Sequence, residues 1–184
     1  MNSVNTFDPE TYGPVFTPLL AIDRRRVLDA GRPEGAAALK TLSVETAFAH
    51  VVANAGRTRV ADADMAACCF AGLWLLHDCL DESHAISQAI DTPSGNFWHG
   101  IMHRREGDFS NAKYWFRHVG QHPVFEALGE RANVAAWDPF AFVDSCQAVA
   151  RGKSDERERC LDIQQAEWEL LFDFCYRAAV RASA

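Results

Sequence analysis

The sequence predicts an all-α fold, and three observations predict it. No stretch alternates apolar and polar residues long enough to make a strand, whereas Ala, Leu, Glu and Arg fill successive windows at helical spacing. A chain of 184 residues suits one core, because at that size roughly 70% of the unfolded surface is buried on folding. Apolar residues make up 48% and charged residues 23%, which is a globular composition and not a disordered one. The expectation is a single domain over 1–184, a bundle of about seven helices around a long central one.

Residues 1–20 contain Pro9, Gly13, Pro14 and Pro18, which predicts an extended N-terminal arm laid on the body. "DAGRPEG" then marks a turn. A first helix is expected over 35–52, with Leu39, Leu42, Val44, Phe48 and Val51 on its apolar side, and "NAGRT" ends it. The second should run from Ala61 to Ile90 as the central helix, apolar on nearly all sides in its first half. "DTPSGN" breaks it.

A third helix is expected over 96–106, and "GDFS" forms the next turn, with Ser110 or Asp108 as the N-cap of a fourth helix over 111–119. Gly120 and Pro123 close that helix. Three more are expected over 123–131, 139–151 and 155–179, with "RGKSDE" as the surface connection between the last two. No repeat of fixed period runs through the chain.

The formal charge of -7 excludes a general nucleic-acid or anionic-membrane binder, since both need a basic footprint. The balance is uneven. Between residues 98 and 122, Arg104, Arg105, Lys113 and Arg117 stand against Glu106 and Asp108, a local +2 that leaves -9 elsewhere. Six cysteines without a CxxC pair, among apolar neighbours, read as buried thiols in a reducing cytoplasm. The start lacks a signal-peptide pattern, and the longest uncharged apolar run, Met65 to Leu76, is too short to span a bilayer. A cytoplasmic protein is therefore expected.

The candidate chemistry lies in two segments. On a continuous second helix Trp74, His77, Asp81, His84 and Gln88 form one stripe, with His77, Asp81 and His84 as candidate catalytic residues. His77 and His84 would stand roughly 10.5 Å apart, too far to share an ion, with Asp81 one turn from each. The third helix adds His99 and His103 at a four-residue spacing that places two imidazoles on one face. If it folds back on the second, His99 and His103 converge with His77 and Asp81 into a mixed nitrogen and oxygen site for one divalent transition metal such as Zn, Fe, Mn or Ni. The competing reading is a buried polar network that sets packing register and binds nothing.

Arg104, Arg105, Lys113 and Arg117, with Trp98, are the candidate residues for gripping a small anionic ligand through phosphate or carboxylate oxygens. A solvated basic face is the alternative. There is no GxSxG, P-loop, GxGxxG or HExxH motif. Among the cysteines, Cys79 is nearest in sequence to the histidine stripe.

The segment "FWHGIMHRREGDFSNAKYWFRHVGQHPVF", Phe97 to Phe125, resembles the signature of a group of uncharacterised bacterial and fungal hypothetical proteins, and "LHDCLDESH" resembles it more weakly. That resemblance implies no substrate. More loosely, the segment is similar to the hairpin of tetratricopeptide-like and Sel1-like repeats, which implies that the third and fourth helices pair. Two functions follow as expectations. One is a small-molecule-binding protein or enzyme with a His/Asp-lined pocket, metal-assisted hydrolysis of an anionic substrate being the favoured reaction. The other is a non-enzymatic helical scaffold for protein partners or a second copy of the chain.

Overall fold

Six helices open on a Ser, Thr or Asp whose side chain accepts an N–H two or three residues on, and these caps decide where the chain breaks. A computed structural model describes residues 7–33, 35–56, 58–150 and 154–181. Among these it is all-helical, with ten α-helices and no strand. Residues 1–6 of the expected arm and 151–153 of the expected connection lie outside the described residues.

From Phe7 onward the arm is partly helical and not extended. A 3-10 turn at Pro9–Tyr12 leads into α1, Thr17–Leu20, because Pro9 and Pro18 fall in first-turn positions where a missing N–H costs nothing. Tyr12, Phe16, Leu19 and Leu20 are buried, so the arm is an integral part of the core. The expected first helix is two: α2, Ala37–Lys40, and α3, Val44–Asn54. Ser43 is extended and its Oγ accepts from the Thr46 N–H at 3.2 Å, which starts a new helix there.

The expected central helix also divides, into α4, Ala63–Leu76, and α5, Leu80–Ser87. At the break Asp78 is left-handed, with φ 58°. The Asp78 N–H bonds to Leu75 O at 3.1 Å and the Cys79 N–H to Trp74 O at 2.9 Å, the two crossed bonds of a Schellman cap. Ser83 then donates to Ala71 O at 2.9 Å, which ties α5 back onto α4.

Thr92 caps α6, Pro93–Glu106, which begins three residues earlier than expected because Pro93 sits at its first position and initiates the helix it was expected only to precede. Asp108 caps α7, Phe109–Val119, as one of its two expected caps. The contacts Gly100 with Phe116, His99 with Trp115 and His103 with Asn111 keep a near-constant sum of residue numbers, so α6 and α7 are antiparallel. Then follow α8, Val124–Ala132, α9, Pro139–Val149, and α10, Asp155–Val180.

The core is organised around α4, in which eleven of the fourteen residues are buried, and against which α5, α6 and α10 pack. Gly72 is the crossing point. Trp168 of α10 donates its indole N–H to Gly72 O at 2.8 Å, and a Cβ at Gly72 would stand 2.8 Å from the Trp98 ring of α6. Only a residue without a side chain lets both tryptophans reach this helix. Gly100 serves the same end on α6, since a Cβ there would meet Phe116 of α7 at 3.0 Å. The helix-free stretch before α2 is fixed by an arginine run: Arg24 bonds Glu169, Arg25 bonds Glu158 and Asp162, and Arg26 bonds Asp78. Among the described residues no helix is long and apolar enough to cross a membrane.

Candidate metal centre

Three histidines meet where α5 crosses the α6–α7 hairpin. His99 and His103 lie one turn apart on α6 with their rings stacked 4.8 Å between centroids, and His84 of α5 meets them edge-on at 4.8 and 5.3 Å. One ring nitrogen from each lies within 4.8 Å of the others. Zinc holds its nitrogen ligands at roughly 2.0–2.1 Å, so the three rings would have to draw together around one ion.

The surroundings prepare the two α6 rings as neutral donors. His99 is 1% exposed, yet neither of its ring nitrogens has a hydrogen-bond partner. A buried polar group left so is costly and calls for an explanation, of which a bound ion is one. Burial pushes the His99 pKa down to about 3, and the neighbouring His103 and His84 add to the shift. His103 is also lowered by burial, while Glu106 opposes the shift. Neutral imidazole is the form that binds metal.

His103 is oriented through its other nitrogen. Nδ1 lies 3.0 Å from Glu106 Oε2 and donates to it, which leaves Nε2 as an acceptor that the Asn111 amide meets at 3.1 Å, a bond that a metal ion on this nitrogen would displace. This tautomer follows from the bonding network. A carboxylate behind a histidine is the arrangement that fixes metal ligands and raises their basicity. Trp115 of α7 stacks on His99 at 3.9 Å between centroids and covers one face of the site. His84 and Trp115 are the part-exposed members, so solvent approaches the cluster beside them.

The other candidate residues are placed elsewhere. The break at Asp78 ends the expected polar stripe, so His77 closes α4 and its Nε2 lies 3.1 Å from Leu19 O, while Asp81 is exposed in the first turn of α5. Neither belongs to the group that His84, His99 and His103 form. The expected anion grip is likewise not assembled. Arg104 is fully buried in a two-point pair with Glu167, and Arg105 spends its donors on Asp29 O, Leu75 O and the Asp78 carboxylate. Lys113 pairs with Asp144, Arg117 is exposed, and Trp98 is sealed in the core. The reason is geometric: consecutive residues of a helix point in different directions, and α6 is buried on every side up to Arg105.

Two arrangements carried no sequence signal. Asp78 joins the guanidiniums of Arg26 and Arg105 across long sequence separations. Ser94 and His122 bond at 3.1 Å, which looks like a nucleophile and its base. The polarity is wrong for that role. The Val124 N–H donates to His122 Nδ1 at 3.2 Å, so Nε2 carries the proton and donates to Ser94. Comparison of the chain with protein-family models, with curated proteins and with solved structures finds no match, so its function is argued from the geometry of this site.

Proposed function

We propose that the protein binds one divalent transition-metal ion through His84, His99 and His103, and that the centre serves metal-assisted hydrolysis. The observation that carries this reading is His99, buried and neutral with both ring nitrogens unpartnered, inside a group of three mutually close imidazoles. Three protein ligands with a further position open is the pattern of catalytic zinc sites, whereas structural sites are closed by four. All-nitrogen ligation favours Zn over the harder Mg or Ca. Such an ion polarises a substrate oxygen and activates water near neutral pH. The chain's own residues orient His103 through Glu106, shield His99 with Trp115, and keep His99 and His103 neutral by burial. Since Arg104 and Arg105 are committed inward, an anionic substrate would be held mainly at the centre itself.

The test is metal content and affinity of protein purified without a histidine tag. After chelation and addition of Co(II), a visible absorption band that saturates at about one ion per chain is expected, with His84→Ala, His99→Ala and His103→Ala each weakening binding about tenfold or more, and Glu106→Gln about tenfold. An unchanged Co(II) spectrum in these variants, with the fold intact, overturns the centre and leaves the histidines as a packing network. Metal binding without zinc-dependent cleavage of nitrophenyl ester and phosphate probes retains the centre and removes hydrolysis.

A further inference from the structure

Away from the histidines, α9 and α10 hold a second set of reactive groups. Cys146 of α9 and Cys160 of α10 are each about 1% exposed and sit with Leu28, Phe142 and Ile163 in a small apolar cluster apart from the main core. Within that cluster each thiol bears on the ionisation of the other. Cys160 also lines a cavity of about 240 Å³, together with Trp137, Phe142, Ser145 and Arg159. The Trp137 indole N–H in that wall is buried without a partner.

A buried cation completes the arrangement. Arg104 lies over the Phe142 ring at 4.6 Å, gives two nitrogens to Glu167, keeps its Nε unpartnered, and acts electrostatically on both sulfurs. Cys146, and after it Arg104 and Arg159, hold the Cys160 thiol below the ordinary cysteine range against burial and Glu156, while Cys160 and burial raise Cys146. Cys68 and Cys175 also bear on each other's ionisation, but both are sealed in the core on α4 and α10. The cavity beside Cys160 and the electrostatic influence of a buried guanidinium set the Cys146–Cys160 pair apart.

We propose that Cys146 and Cys160 form a redox-active dithiol that reduces small organic disulfides entering this cavity. The Cys160 thiolate attacks one sulfur of the disulfide, the substrate S–S bond breaks, and the first thiol leaves with the proton that Cys160 gave up. Cys146 then attacks the Cys160 sulfur of the mixed disulfide, its proton goes to the second departing thiol, and a Cys146–Cys160 bond remains. Two protein thiols are oxidised by two electrons and one substrate disulfide becomes two thiols.

The full chain, reduced and then freed of reductant, is mixed with 2-hydroxyethyl disulfide, and the thiols are counted before peptides are mapped without reduction. The expected result is the loss of two of the six thiols and a peptide joined through Cys146 and Cys160. In Cys146→Ser a mixed disulfide accumulates on Cys160, and in Cys160→Ser the reaction slows about tenfold or more. Six unreacted thiols in the folded chain, or losses spread over Cys68, Cys69, Cys79 and Cys175, overturn the proposal. If circular dichroism shows that a serine variant does not fold, the peptide map of the unsubstituted chain decides alone.

Discussion

His99 sets stability and function against each other within one side chain. Its two unpartnered ring nitrogens carry an uncompensated desolvation cost of about 1–3 kcal/mol, which an apolar side chain of similar size removes. His99→Leu should therefore raise the stability of the chelator-treated protein by about 1 kcal/mol while abolishing metal binding. Urea unfolding in the presence of a chelator checks the first part, and a loss of stability would mean that the imidazole makes contacts worth more than its desolvation. Arg104 gives the opposite case. It is fully buried and its partner Glu167 is equally so, so Arg104→Met strands a carboxylate and should cost about 3–5 kcal/mol. Adding Glu167→Leu removes that charge, and the double variant should regain most of the loss.

The break between α4 and α5 shows how far helical elements are legible. Spacing alone supports one helix across residues 61–90, because Asp in a helix interior costs only a few tenths of a kcal/mol more than its neighbours. What decides the break is long-range: Arg26 and Arg105, 52 and 27 residues away, converge on the Asp78 carboxylate and hold it in a left-handed conformation. No local window contains that information. The Ser43 break was open to a reading of caps, since Ser43 precedes an apolar run and bonds three residues ahead. In the site, the His99 and His103 spacing is a property of one helix and was therefore legible. His84 joins them, and His77 does not, only because the chain turns at Asp78. Asp78→Gly relieves the left-handed strain by about 1 kcal/mol yet leaves two guanidiniums without their anion, so it should be destabilised by roughly 2 kcal/mol, against roughly 3 kcal/mol for Asp78→Asn. Thermal unfolding of the two variants compares the terms directly, and an Asp78→Gly variant as stable as the parent would mean that the residue acts only as a cap.

Across the whole molecule, the response to acid follows from histidines buried in neutral form. His122 is 5% exposed, packed among Phe97, Phe125 and Phe174, with Nδ1 accepting from Val124 N–H and Nε2 bonded to Ser94. Burial pushes its pKa down to about 4. A histidine with a folded pKa below its unfolded value of about 6.5 binds fewer protons folded than unfolded, so its contribution to stability is complete above about pH 6.5 and falls as the pH drops towards 4. The span corresponds to about 3 kcal/mol at most. His99 and His103 shift in the same direction, so metal-free protein should lose stability through this window, before most carboxylates titrate. His122→Gln keeps an amide donor for Ser94 without a titrating ring, and should flatten the profile of unfolding free energy between pH 6.5 and 4 by the His122 share. A profile as steep in His122→Gln as in the parent would assign the acid response to the α6 histidines alone. A flattened one would show that the end of the α6–α7 hairpin, and not only the candidate metal centre, is built around a neutral imidazole.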